Sequence, residues 1–388
     1  MKRAACLLLV SAVLLTGCWN RTEVNDLAIV QCSAYDKDGD HYRVSVSFPL
    51  VSQMTGTRGG GGGTGGKEGQ NNYVESADAE AIRTALANLQ RKLSRRLYFA
   101  HRRVLLIGEE MARHGVSAIL DNIARFPENR ISTFVLVAEG SALQLMQTPV
   151  LMERIPAEMF REILTTFMKS PVTAKDFIHA ILTEGIDPYT LAFDRTETKT
   201  GDKAADTIAV HGLAVFRDDR LMGILDAKHL NGALLALDQL RRPVFSVKLP
   251  GSDHSVTAQF LQISSRLEPI VSGQDVRMRF TFSGMYEIST NESENTLVRF
   301  KESNRITKAI EDRIRQEVSA AVKEIQTRFK ADIFGFGSAL RRNHPGVWRK
   351  VSKRWHDLYP QVPVEYRFDI RMEHVGTLNL PVHENPNP

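Results

Sequence analysis

Hydrophobic and polar positions change period several times along this chain. Tyr42, Val44, Val46, Phe48 and Leu50 alternate with Arg43, Ser45 and Ser47, which predicts a strand with one wet face. With the apolar residues 27–35 before it, across the turn cluster 36–40, that strand reads as half of a hairpin. From Ser76 the period becomes helical. Ile82, Leu86, Leu89 and Leu93 share a face, and Ser76 is the expected N-cap. Strands at 104–107 and 131–138, with helices within 109–124, 141–147, 157–168 and 174–184, complete a mixed segment. Residues 186–206 are polar and read as loop. Residues 208–216 and 220–226 bracket Asp218-Asp219 as a hairpin, and 228–240 read as a helix.

The last third has the clearest pattern. Val276, Met278, Phe280 and Phe282 alternate with Arg277, Arg279 and Thr281, and 362–372 repeats that alternation, so both read as long strands of antiparallel type. Between them, Ile306, Ile310, Ile314, Val318, Val322, Ile325 and Phe329 recur every three or four residues, as on one amphipathic helix covering a sheet. The whole predicts an α+β fold of three mixed α/β domains in a row. These are an N-terminal domain at 18–185, a middle one at 186–252, and a C-terminal one at 253–388, a largely antiparallel sheet under the long helix.

Before these lies a different pattern. Met1 to Arg3 is basic, and residues 4–15 are apolar apart from Ser11, too short to span a bilayer but the length of a secretory signal core. The run ends in Leu15-Thr16-Gly17-Cys18, which resembles a bacterial lipobox. That resemblance implies removal of residues 1–17 and attachment of diacylglycerol to the Cys18 thiol, and two acyl chains suffice for stable anchoring. Of the 3 cysteines, Cys6 leaves with the signal and Cys18 carries lipid, so Cys32 has no disulfide partner and is expected as a small buried hydrophobe.

Composition adds exclusions. The net charge of +5 drops to about +3 once Lys2 and Arg3 are removed, too little for a polyanion binder, and no nucleic-acid role is expected. Residues 56–69 hold 9 of the 26 glycines and read as a flexible loop. Gly61 to Lys67 fits the spacing of a phosphate loop, but Glu68 stands where Ser or Thr must ligate magnesium, and no helix follows. The chain has no H-E-x-x-H, C-x-x-C or G-x-S-x-G, and the histidines, such as His101 and His254, show no ligand spacing. No catalytic, cofactor-binding or metal-binding residue is therefore assigned, and nothing supports an enzyme. Arg341, Arg342, Arg349, Lys350, Lys353 and Arg354, with Trp348 and Trp355, form a cluster suited to an anionic lipid surface.

The sequence starting Cys18-Trp19-Asn20-Arg21-Thr22-Glu23-Val24-Asn25-Asp26 resembles the mature start of the Ger(x)C lipoproteins, the C subunits of nutrient germinant receptors. Asn20 replaces the family's usual Asp. Further blocks carry the likeness: Arg91-Lys92-Leu93 to His101, Val104 to Glu110, His114-Gly115-Val116, Arg125 to Arg130, and Gly212 to Gly223. The last is Ala331-Asp332-Ile333-Phe334-Gly335-Phe336-Gly337 through Pro345, Trp348 and Trp355. The resemblance implies a three-domain α/β protein on the outer face of the spore inner membrane, working with membrane-embedded A and B subunits. No small-molecule ligand is assigned, because the family's ligand recognition is attributed to its B subunit. The glycine loop and the two Trp-bearing segments are expected partner contacts. The rival expectation is a lipid-anchored solute-binding protein of a transporter, which would show two hinged parallel α/β lobes.

Overall fold

The computed structural model describes residues 23–49, 72–150, 152–200, 203–249, 255–273, 275–291 and 300–374. Residues 1–17, Cys18 and the glycine loop 56–69 lie outside them. The chain enters through a short turn, Val24–Asp26, into strand β1 (Leu27–Ile29). Next, β2 (Cys32–Asp38) turns at Gly39 (φ 56°) into β3 (His41–Pro49), which pairs with β4 (Asn72–Ala79). Helix α1 (Ile82–Arg91) buries Ile82, Ala85, Leu86 and Leu89. Ser76 is in β4, opposite Ser45 and hydrogen-bonded to it, so the helix starts later than expected, after Ala81 and without a side-chain cap. The strand ladder claims Ser76 before the helix can.

Strand β5 (Arg96–Tyr98) lies parallel to β1, and β6 (Val104–Gly108) follows. Helices α2 (Glu109–His114) and α3 (Ser117–Arg125) divide at Gly115, whose φ of 130° no ordinary helical residue adopts. After β7 (Phe134–Ala138) come α4 (Ala142–Met146), α5 (Pro156–Phe167) and α6 (Ala174–Leu182). Strand β6 and residues 135–138 of β7 are wholly buried, as central parallel strands covered on both faces must be.

The polar stretch expected as loop is instead β8 (Tyr189–Thr200), paired antiparallel with β9 (Lys203–Arg217), and β10 (Arg220–Asp226) closes the set. Leu191, Ala192 and Phe193 are fully buried where β8 meets the core, and Thr196 and Thr198 beyond them give its polar half the β-branched character of a strand. All of these strands except the β1–β5 pair make one sheet in the order β10-β9-β8-β7-β6-β2-β3-β4. It runs unbroken across residues 185 and 186, where the pattern of the sequence set a boundary.

Helix α7 (Ala227–Ala236) leads to a second sheet, ordered β11 (Val244–Lys248), β12 (Ser255–Ser272), β13 (Asp275–Asn291) and β14 (Val364–His374). Its first two pairings are antiparallel, but β14 joins β13 in parallel. This corrects the expectation for the last strand. The connection from β13 is a crossover through the long helix, and a crossover returns the chain in the same direction. That helix, α8 (Phe300–Glu324), buries Ile306, Ile310, Ile314, Val318 and Val322. A side chain at Gly232 in α7 would collide with the Glu317 carbonyl, so α7 and α8 touch backbone to backbone. One continuous apolar core, from Cys32 to Ile370, joins both sheets.

Candidate functional site

Beyond Glu324 the long helix continues as a single π-helical turn, Ile325–Phe329, and Lys330 ends it in left-handed conformation (φ 52°). Residues 331–335 then dive inward, ahead of α9 (Phe336–Asn343), α10 (Pro345–Val351) and α11 (Trp355–Leu358). Asp332 is buried at this turn. Its Oδ1 accepts from the Phe336 N–H at 2.9 Å, and its Oδ2 accepts from Gly337 N–H and Trp355 Nε1–H, each at 2.8 Å.

Facing it, Asp187 sits in the loop between α6 and β8. Its carboxylate accepts from the Asp218 N–H at 3.1 Å and the Asp332 N–H at 2.6 Å, and its own N–H donates to the Asp332 carbonyl at 2.9 Å. Ser338 N–H donates to the Gly185 carbonyl at 2.7 Å, and Trp348 Nε1–H to Glu184 at 3.2 Å. Two buried carboxylates thus tie the α6–β8 loop, the β9–β10 turn and the C-terminal helices into one junction. Burial pushes the Asp332 carboxyl up to about 7 against the pull of its three N–H donors, and the Asp187 charge adds to the rise. Burial likewise raises Asp187. Each oxygen of Asp332 already holds a donor, so the group acts as a clamp. A cavity of about 340 Å³ opens beside it, lined by Glu184, Asp187, Asp218, Lys353 and His356.

Arg341, Arg342, Arg349, Lys350, Lys353 and Arg354 are exposed around this junction, as a surface patch requires. Trp348 and Trp355 are not part of it: they are only 5% and 4% exposed and pack edge to face at 5.4 Å. The expected aromatic and basic surface is therefore corrected to a basic one alone. Indole N–H groups need acceptors when buried, and Glu184 and Asp332 supply them. Cys32 is fully buried and free, and burial pushes its thiol up, as its apolar setting predicts.

Spacing along the sequence missed one cluster. Glu139, Asp194 and His211 bring three ligand atoms within 4.8 Å of one another, with His211 Nε2 at 2.9 Å from Glu139. They come from the end of β7, from β8 and from β9, and only the sheet register brings them together. Two carboxylates and an imidazole suit a divalent cation, but they equally make an ordinary ion pair with an acidic neighbour. Cys18, the lipid-attachment residue expected from the sequence, is outside the described residues. Among these, no helix is long and apolar enough to cross a membrane.

Two family models match the chain in tandem. "Spore germination protein N-terminal domain" covers residues 20–194, and "Spore germination B3/ GerAC like, C-terminal" covers residues 211–376. The chain belongs to the GerAC family of spore germination proteins. Within the family, the chain is 36% identical to the spore germination protein YfkR of Bacillus subtilis (strain 168), over 95% of this chain and 96% of the relative. It is 25% identical to spore germination protein KC of the same organism, over 97% of each. The crystal structure of the GerBC protein aligns with a TM-score of 0.56 at 16% identity, covering 88% of this chain and 96% of that one. That likeness supports the α+β fold. In this GerAC protein the two family segments share a sheet, since the first model ends in β8 and the second begins in β9, its neighbour.

Proposed function

We propose that this chain is the lipid-anchored, non-enzymatic C subunit of a nutrient germinant receptor. It would sit on the outer face of the spore inner membrane through diacylglycerol on Cys18 and work with membrane-embedded A and B subunits. The observation that carries the reading is Leu15-Thr16-Gly17-Cys18 at the head of a chain that belongs to the GerAC family. The anchor's task is assembly, because holding the protein at the bilayer raises its effective concentration beside polytopic partners. Glu23, the first described residue, lies five positions after Cys18, a separation that any chain spans with at most roughly 17 Å. The folded body would therefore lie against the membrane with the β1 end inward. The continuous core between the two sheets favours this reading over a solute-binding protein hinged between two lobes.

Substitution Cys18→Ala tests it. The expected outcome is a folded protein absent from the spore membrane fraction, spores that no longer respond to nutrient, and loss of co-purified A and B subunits. Normal germination with the variant in the soluble fraction would overturn the proposal.

A further inference from the structure

Arg102 is 3% exposed, two residues before β6. Its guanidinium donates to Ser33 Oγ at 3.3 Å, while Nε and Nη2 are enclosed and reach no acceptor. The Phe99 ring lies 5.5 Å from its Cζ. The other polar groups acting on it are the Tyr35 hydroxyl, which hydrogen-bonds with it, and the Cys32 thiol; burial raises both, so neither is an anion at neutral pH. Burial disfavours its charge, yet a guanidinium does not give up its proton in a protein. A cation taken out of water without a counter-charge is costly, and structures rarely keep one idle.

Arg102 also forms part of the wall of a pocket of about 570 Å³, within the size range of small-ligand sites. Arg83 and Arg96 also line it, and Leu86, Leu97 and Phe126 make its walls apolar. Glu128, the pocket's acidic residue, is held by Arg96 at 2.5 Å, and Arg83 lies 4.2 Å over the Phe126 ring. The pocket is left with excess positive charge in a largely apolar space. We propose that it binds an oxyanion, carboxylate or phosphate, carried on an apolar body, with Arg102 as the buried counter-charge. A guanidinium offers such groups a planar fork of donors, which an ammonium cannot. The bearer is either a free small molecule or the headgroup of an anionic lipid, since β5, whose Arg96 and Leu97 line the pocket, pairs with β1 where the chain enters the fold. The inference does not depend on Cys18 or on the receptor reading.

The test uses the full chain in neutral detergent. Isovalerate and phenyl phosphate are titrated calorimetrically, with isovaleramide as the uncharged control. In a second arm, the chain is titrated with nanodiscs of phosphatidylglycerol or of phosphatidylcholine. The expected result is binding of the charged probe in at least one arm and not of its neutral counterpart, weakened at least tenfold by Arg102→Met. Ala87→Trp keeps the arginine and narrows the pocket from an exposed position on α1, so it should weaken binding equally and decides the matter if Arg102→Met does not fold. Soluble anions binding identifies a free ligand, and Arg102-dependent binding to phosphatidylglycerol alone identifies a lipid headgroup. Equal binding of the neutral probes, or no binding that depends on Arg102 and Ala87 in either arm, overturns the proposal.

Discussion

Gly337 leaves no room for a side chain. A Cβ there would stand 2.7 Å from the Gly185 Cα and 2.8 Å from both Trp348 and Trp355. The neighbours are backbone and two locked indoles, so relief requires moving the junction. Gly337→Ala is expected to lower stability by about 1–3 kcal/mol, the usual cost of overpacking. Gly346 is the internal control, because a Cβ there meets nothing within 4 Å and the residue is helical. Gly346→Ala should be neutral or stabilising by up to about 1 kcal/mol. Calorimetric melting of the two variants checks both, and an unchanged melt for Gly337→Ala would show that the junction yields. In the sequence, Gly335-Phe336-Gly337 belongs to a family-like block but shows no reason for its second glycine. Its reason lies in Gly185, 152 positions earlier in the chain.

The long helix α8 shows what an element's pattern can and cannot tell. Its apolar stripe is readable residue by residue, and all of Ile306, Ile310, Ile314, Val318 and Val322 are buried. Ile314→Ala should cost about 2–5 kcal/mol through lost burial and a retained cavity. The exposed pair Arg313–Glu317, at 2.7 Å and one helical turn apart, should contribute less than about 0.5 kcal/mol when Arg313 is replaced by Ala. Denaturant midpoints of the two variants distinguish them, and similar shifts would mean that the stripe does not face the core. What the stripe does not disclose is its cover. The helix packs against α7 as well as the sheet, and the contact depends on Gly232, a residue with no helical signal of its own.

At the scale of the whole molecule, buried carboxylates set a pH dependence. Asp332 is pushed up to about 7, and Asp187 and Asp36 are raised, each chiefly by burial. A carboxyl whose value is raised on folding holds its proton more tightly in the native state. Its stabilising contribution is full below the usual carboxylate range and is lost as pH rises toward 7. Glu75 and Glu365 are lowered by their hydrogen-bonded partners, but both lie near the surface, where solvent weakens the effect. The melting temperature should therefore fall between pH 5 and pH 8, and Asp332→Asn, which has no proton to lose, should flatten the fall. A melting temperature that rises over this range would contradict the assignment. Because Asp187 and Asp332 join the first sheet to the C-terminal helices, the same scan reads the strength of that junction.

The sequence by itself determined the strands that alternate, the helix that repeats every three to four residues and the family. These are signals written by neighbours within one turn or one strand, and they survive without knowledge of the fold. Tertiary structure alone decided the parallel pairing of β14, the strand Tyr189–Thr200 with its second half of threonines and charges, and the single sheet crossing from one segment to the next. Strand partners are chosen between residues distant in the chain, and no local period records the choice. The same holds for Arg102, Asp187 and Asp332. A buried charge and an exposed one are the same letter, and only packing shows which has lost its water.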